Sequence, residues 1–346
     1  MLRRLILVLA MATCACGPQR PDAPRPPVVP VPIVGAAPSA LGSTRSPGVA
    51  PPRQDEEPPD AETSEALIRS FQAAWRATPS ADALSRFVAD HPGLLRAKAK
   101  PYGESLMWAL EFGEAEAAMA LLRAGASVDT GRSDQQTTPL HMASRAGLDA
   151  VVVWLLRNGA RPDAASYEGT PLHFAAKYGH AGTMALLLTA GAAPTVHAKD
   201  HGFTALHLAT IGRHKEAVAT LIRSKAELDA PDDDGRTALH WCALSYAPQA
   251  EHLYERPGAP HDTVFRDPGP AVIAEMLMVA GAKVEATDNT GDTPLHHAAR
   301  LRAPRAAEML LKHGAQRSAR NKAGETALDI AKKNGELAME KILRGP

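Results

Sequence analysis

Aromatic residues make up only 4% of this 346-residue chain, too few for the large mixed core of an ordinary enzyme domain of that length. Helices packed through small residues, alanine above all, fit the composition better, and an all-helical, modular build is the first expectation. Net charge is lacking too: 38 Lys and Arg stand against 38 Asp and Glu, so no overall field steers the chain toward nucleic acid or an anionic bilayer. Cysteine is scarce, with Cys14, Cys16 and Cys242 alone. If the leader holding the first two is removed, the folded part can form no internal disulfide. Nucleotide, serine-hydrolase and zinc-protease signatures (G-x-x-x-x-G-K-[ST], G-x-S-x-G, H-E-x-x-H) are missing altogether.

What stands at the N-terminus is MLRRLILVLAMATCACGP. Arg3 and Arg4 form a basic start, and the apolar run Leu5 to Ala12 is eight residues, too short to cross a hydrocarbon layer of about 30 Å as a helix. That pattern reads as a secretory leader, residues 1–16. Ala15 before Cys16 resembles the small-residue cleavage site of bacterial lipoproteins, which implies acylation of Cys16, with Cys14 as the alternative acceptor. Residues 17–60 follow as a proline-crowded tether (PRPPVVPVP, then SPGVAPPRQDEEPPD) that cannot bury a core and is expected to be an extended, disordered spacer.

Beyond the tether one phrase recurs. TPLHMASRAG starts at Thr138, TPLHFAAKYG at Thr170, TALHLATIGR at Thr204, TALHWCALSY at Thr237, TPLHHAARLR at Thr293 and TALDIAKKNG at Thr326, in steps of 32, 34, 33, 56 and 33 residues. A worn copy, ESLMWALEFG, begins at Glu104. Thr is suited to capping a helix start, and Pro or Ala follows where a missing amide hydrogen costs little. Leu and the second Ala face a stack. Gly closes the first helix, and LL-x-x-GA closes a second, with Gly in the left-handed turn. Lys225 stands where that Gly belongs, at a cost of about 1 kcal/mol. A polar D-x-x-G-x stretch, as in DDDGR from Asp232 and DNTGD from Asp288, then leads into the next Thr.

This period and phrase resemble the ankyrin repeat. The resemblance covers residues 103–346 and implies an all-α repeat solenoid, helix-turn-helix units with β-hairpin fingers, in which stacking supplies the core that one unit lacks. Residues 61–102, with helical spacing of Leu67, Ile68, Phe71, Trp75, Leu84, Phe87 and Val88, read as an N-terminal helical cap or degenerate repeat. Asp329 in place of the usual His marks an atypical last repeat. The step of 56 places an insertion at about 245–269, between the helices of the repeat begun at Thr237, and it carries Tyr246, His252, Tyr254, His261 and Phe265.

Chemistry has few candidates. His141, His173, His207, His240 and His296 recur once per unit, too sparse to chelate zinc, and the resemblance implies that they bridge neighbouring hairpins by hydrogen bonds. His296 and His297 are adjacent and point apart. Cys242 occupies a small-residue packing slot. Asp232 to Asp234 mimic a calcium loop only superficially, since Ala230 and Trp241 hold ligand positions, and read as a solvated hairpin tip. No catalytic, cofactor or metal site is expected, and neither nucleic acid nor a small-molecule substrate.

The resemblance implies a protein partner held on the concave face of finger tips and first helices. Carried onto this chain, the candidate contacts are Lys177, Tyr178, His201, Phe203, Ile211, Asp233, Asp234, Arg236, Asn289, Thr290, Asp292, Arg300 and Leu301, joined by Tyr246, Tyr254 and Phe265 of the insertion. Tyr178 and Phe203 are the expected anchors. The expected function is a protein-protein interaction module, exported and lipid-anchored to a bacterial membrane, the outer membrane facing the periplasm. The alternatives are a periplasmic accessory in oxidative-stress defence or toxin neutralisation, and an enzyme using Cys242 with loop residues.

Overall fold

The structure is a computed structural model, and it describes residues 66, 69–71, 73–74, 81–91, 98–99, 103–129, 136–245 and 269–345. The leader, Cys14 and Cys16, the tether, and Tyr246, Tyr254 and Phe265 lie outside the described residues.

Each phrase opens a short helix, and each short helix turns back into a second. After α1 (Ala81–Asp90), the pairs are α2 (Ser105–Glu111) with α3 (Ala115–Arg123), α4 (Pro139–Ala146) with α5 (Asp149–Arg157), and α6 (Pro171–Lys177) with α7 (Ala181–Thr189). They continue as α8 (Ala205–Ile211) with α9 (Lys215–Arg223) and α10 (Ala238–Ser245) with α11 (Gly269–Val279). The last two are α12 (Pro294–Arg300) with α13 (Pro304–Lys312) and α14 (Ala327–Lys333) with α15 (Leu337–Arg344). First helices pack on first helices and second helices on second helices, giving two rows, so the expected helical repeat solenoid is the fold. Sheet is confined to an antiparallel pairing of Lys98–Ala99 (β1) with Gly103–Glu104 (β2) among the described residues. No helix of the described residues is long and apolar enough to cross a membrane.

Packing follows from the phrase. Leu140, Leu172, Leu206, Leu239 and Leu295 are all but fully buried, and so are Ala143, Ala175, Ala209 and Ala298 five residues after each Thr. Cys242 takes that same slot in the fifth pair and is buried in the continuous core. Small side chains here let helix backbones approach closely enough for one core to run the length of the stack. At the N-terminal end, buried Phe71 meets Phe87 at 6.0 Å and Trp108 at 6.1 Å between ring centroids, and α1 packs on α3.

Turns explain most glycines, and two explain themselves by contact. Gly147 and Gly179 end first helices at φ 67° and 77°. A Cβ on Gly147 would meet the His180 ring at 2.6 Å, and one on Gly179 would collide with His214. At the second-helix turn, Gly125, Gly159, Gly191, Gly281 and Gly314 are left-handed, and Lys225 adopts the same conformation at φ 57°. Because the Lys225 side chain is exposed, nothing it touches offsets that strain. Replacing Lys225 by Gly is therefore expected to raise stability by about 0.5–1 kcal/mol, after allowing for the extra freedom of glycine in the unfolded chain. Chemical denaturation of both proteins under one condition measures it, and a fall in stability would contradict the strain argument.

Candidate functional site

The face built by first helices and the fingers before them is held in register by a repeated histidine bridge. In the second repeat the backbone N–H of Thr138 donates to His141 Nδ1 at 3.1 Å, and the Thr138 hydroxyl donates to the same atom at 2.9 Å. An amide nitrogen can only donate, so Nδ1 is the unprotonated nitrogen and Nε2 carries the hydrogen. That Nε2–H donates to the Gly169 carbonyl of the next repeat at 3.1 Å. His173, His207, His240 and His296 repeat the pattern toward the carbonyls of Phe203, Arg236, Asp292 and Glu325 at 3.0 to 3.1 Å. In the last repeat the Asp329 carboxylate accepts from the Thr326 amide at 3.0 Å and reproduces the cap without the bridge.

A second histidine set was not foreseen. His180 Nε2 donates to the Arg145 carbonyl at 2.9 Å and His214 Nε2 to the Lys177 carbonyl at 3.1 Å, each satisfying the frayed end of the preceding first helix. The signal was present in the sequence, since each of these histidines follows the residue that ends the phrase by one position.

The fingers themselves are joined edge to edge. The Asp233 amide donates to the His201 carbonyl at 3.1 Å, Asn289 to Asp234 at 2.9 Å and Lys322 to Thr290 at 3.1 Å. Along this row His201, Asp233, Asp234, Asn289, Thr290 and Arg300 are exposed, and Lys177, Tyr178, Arg236 and Leu301 are half-buried. Three expected contacts are corrected: Phe203, Ile211 and Asp292 are buried, at 6%, 3% and 2% exposure. Phe203 and Ile211 form a small second core with Trp241 and Leu244, the Phe203 and Trp241 rings meeting edge-on at 5.5 Å. At the equivalent position Met142 and Leu208 are smaller, and Trp241 fills the space beside Phe203 and Ile211. Phe203 is therefore no partner anchor.

Toward the N-terminal side, a hollow of about 140 Å³ is lined by Thr137, Met142, Arg145, Glu168, Phe174, Lys177 and Tyr178. The Arg145 guanidinium lies over the Tyr178 ring at 5.4 Å and is ion-paired with Glu111 at 2.8 Å, while Lys177 pairs with Glu168 at 2.9 Å. Tyr178 is thereby fixed in orientation with part of its ring open to solvent.

Toward the C-terminal side, the acidic fingers turn inward. Asp232 is no solvated tip: it is buried and accepts from the amides of Asp234 and Arg236 at 2.9 and 2.8 Å and from Trp241 Nε1 at 2.9 Å. Burial pushes its carboxyl above the ordinary range. Asp288, nine residues before His297 as Asp232 is nine before Trp241, accepts from His297 Nε2 at 2.8 Å and from Thr290 and Asp292. Burial raises Asp288, but these donors outweigh it and hold the carboxyl below the usual range. Asp288, Asp292 and His297 bring ligand-type atoms within 4.8 Å of one another, the sole such trio among the described residues. Its atoms are already engaged, since Asp292 accepts from Arg300 at 2.5 Å and from Asn321 at 2.7 Å. The trio reads as a hydrogen-bond network that ties two fingers to α12. Among the described residues Cys242 has neither access nor a stabilising base, and burial pushes its thiol up, away from the nucleophilic thiolate.

Comparison with known proteins agrees with this architecture. A family model of ankyrin repeats (three copies) matches residues 80–166, 106–200, 172–262 and 268–345. The chain is 29% identical over 227 residues to a protein of Danio rerio named as the palmitoyltransferase ZDHHC13, a match covering 65% of this chain and 27% of that protein. Over 141 residues it is 33% identical to neurogenic locus notch homolog protein 1 of Xenopus laevis, covering 38% of this chain and 6% of that protein. The chain thus spans a small part of these relatives' length. Among solved structures, the ankyrin repeat domain of human ASB11 superposes with a TM-score of 0.55 and 26% identity, over 70% of this chain and 98% of that one. The ankyrin repeat domain of Bcl-3 gives 0.55 and 25%, over 69% and 97%.

The histidine bridges make stability depend on pH in one direction. Burial lowers His141, His173, His207 and His240 from 6.5 to about 4. Between those values the unfolded chain binds protons that the folded chain refuses, so their contribution is complete above pH 6.5 and lost as pH falls toward 4. Each contributes a slope of about 1.4 kcal/mol per pH unit inside the window. The melting temperature should be flat above pH 7 and fall steeply between pH 6 and 4, with proton uptake on unfolding seen by calorimetry in different buffers. A melting temperature that is flat through this window would refute the neutral-bridge account.

Proposed function

The chain belongs to the ankyrin-repeat family, and on that premise we propose that it is a protein-binding module carried outside the cytoplasm on a lipid attached to Cys16. Ankyrin repeats generally mediate protein-protein interaction, and the observation that carries the reading here is the division of labour along the finger row. One set of side chains, Phe203, Ile211, Asp232, Asp288 and Asp292, is buried and fixes the fingers. Another, His201, Asp233, Asn289 and Thr290, stands exposed with its backbone already hydrogen-bonded, so contact with a partner would order little that is not ordered beforehand. Tyr178, held against Arg145 beside the hollow, is the best-placed aromatic anchor on this face.

The anchor rests on the residues of the leader: Arg3 and Arg4, the apolar run Leu5 to Ala12, and Ala15 before Cys16. A single acyl chain binds a bilayer weakly, and lipoprotein acylation supplies more than one chain, so the attachment would be durable. With the proline-rich tether, the recognition face would stand off the membrane while remaining confined near it. The outer membrane, facing the periplasm, is the compartment this reading favours.

Two measurements test the two halves. Cys16→Ser is expected to move the protein from the membrane to the soluble fraction; if only Cys14→Ser does so, the acceptor is Cys14, and if neither does, the anchor is wrong. Separately, a photo-crosslinker placed at Tyr178 or Asn289 in intact cells should yield one discrete adduct, and Tyr178→Ala should weaken capture by about tenfold, or 1.4 kcal/mol, with an unchanged melting curve. Equal capture from an exposed second-helix position such as Lys215 would sink the finger-face reading.

A further inference from the structure

Zero net charge conceals a division along the stack. Residues 226–299 hold thirteen Asp and Glu against four Lys and Arg, a net of −9, whereas residues 300–346 hold eleven Lys and Arg against five Asp and Glu, a net of +6. The two excesses are handled differently. Much of the acidic one is satisfied within the fold. Asp232, Asp288 and Asp292 are buried among donors, Asp229 and Glu285 accept from the amides of Lys283 and Gln316 in the next repeat, and Asp234 pairs with Arg236.

The basic excess is not. All eleven cations from Arg300 onward are exposed. Four are paired, Arg300 with Asp292, Arg302 with Glu336, Lys333 with Glu325 and Arg344 with Glu340. The other seven make no close ion pair with a carboxylate among the described residues; of these, Lys332 and Arg320 lie near Asp329, where they help the bonds from Thr326 to hold its carboxyl below the usual range.

Placement concentrates several of them. α13 and α15 are equivalent helices of successive repeats and pack on each other, and each carries its cations at its C-terminal end, Lys312 on one and Lys341 and Arg344 on the other. Arg317, in the turn after α13, joins them: its guanidinium carbon lies 3.5 Å from where a Cβ on Gly345 would stand. Leu337, Lys341 and Arg344 share one exposed face of α15, and the Leu337 side chain is 79% exposed. Some of this charge complements helix C-termini, but that effect needs one cation per helix end and leaves the excess unexplained.

We propose that this C-terminal basic edge, centred on Lys312, Arg317 and Lys341, docks on an anionic phospholipid surface. Clustered Lys and Arg, with exposed Leu337 further along the same face of α15, match the charge and the interfacial layer of such a surface. Residues 300–346 contain no Phe, Tyr or Trp, so the stacking that holds single-stranded nucleic acid is missing. The acidic stretch of a second copy is a poorer occupant, because Asp229, Asp232, Asp234, Glu285, Asp288 and Asp292 are already engaged within the fold. This docking does not depend on acylation of Cys16, and it would turn the acidic middle of the stack away from the bilayer.

The test uses the chain from Gly17 onward, which keeps every described residue and carries no lipid. Flotation with phosphatidylcholine vesicles, with and without phosphatidylglycerol, is expected to show binding only when the anionic lipid is present, and to weaken as salt is raised. Changing Lys312, Arg317 and Lys341 together to Glu should lower that binding by about tenfold or more. The same charge change at exposed Arg157, Arg161 and Lys199 should leave it within about twofold, and melting curves of all three proteins should coincide. Equal binding to neutral vesicles, or equal loss in both variants, would overturn the proposal. So would salt-sensitive self-association without vesicle binding, or tighter binding to a single-stranded oligonucleotide than to vesicles.

Discussion

Everything in this molecule depends on a neutral imidazole that joins two repeats at once. A first helix of seven or eight residues is too short to be stable alone, because the nucleation cost is barely recovered before the helix ends. The histidine answers that weakness locally by accepting the amide of the capping Thr through Nδ1. It answers it globally by donating Nε2–H to a carbonyl about thirty residues on, as in the 3.0 Å bond from His173 to Phe203. Both bonds require the same tautomer, so protonation removes the acceptor on one side and the cap with it. Stability and repeat-to-repeat register are thus carried by one group, buried where water cannot substitute for either partner.

How far the sequence discloses this can be judged residue by residue. Thr138, Leu140, His141 and Ala143 announce the helix, its cap and its packed face, because each is chosen by local geometry that repeats unchanged. Lys225 announces a left-handed turn against its own preference, since Leu221 and Ala226 flank it as Leu155 and Ala160 flank Gly159 and Leu310 and Ala315 flank Gly314. Phe203 and Ile211 are misread for the opposite reason. Their positions vary in an ankyrin array, and variability normally accompanies exposure, but here Trp241 of the following repeat fills the groove beside them. No pattern within one repeat shows that contact, which depends on what stands one unit on. Asp232 is hidden in the same way: DDDGR reads as three equivalent acids, yet only the first lies within reach of Trp241 Nε1 and the amides of its own turn.

The polar interior on the C-terminal side has a clear physical logic. A buried carboxylate is tolerable when several donors surround it, and Asp288 has the ring of His297, the hydroxyl and amide of Thr290 and the amide of Asp292. These bonds are directional, whereas the alanine-rich core beneath is not. Sliding one repeat against the next by a residue would cost the core little and the network a great deal, so the polar contacts specify register where the apolar contacts supply adhesion. That is also why the candidate cation trio reads as structure: each oxygen that could face an ion already has a proton pointing at it.

The same reasoning explains why the fifth repeat can accept an insertion. Its step exceeds that of its neighbours by more than twenty residues, yet α10 and α11 pack on each other as the helices of uninterrupted repeats do. Closing a longer loop adds only about 0.6 kcal/mol for each doubling of its length, so the requirement is that both flanking helices be held without help from the connection. α10 meets it through His240, bonded to the finger on either side, through Cys242 in the core and through Trp241 against Phe203 and Asp232. α11 meets it through Ile273, Ala274 and Leu277, all buried against the second-helix row. The fifth repeat can therefore open its hairpin because each of its helices is held by contacts made across the stack, through His240, Trp241 and Cys242 on one side and Ile273, Ala274 and Leu277 on the other.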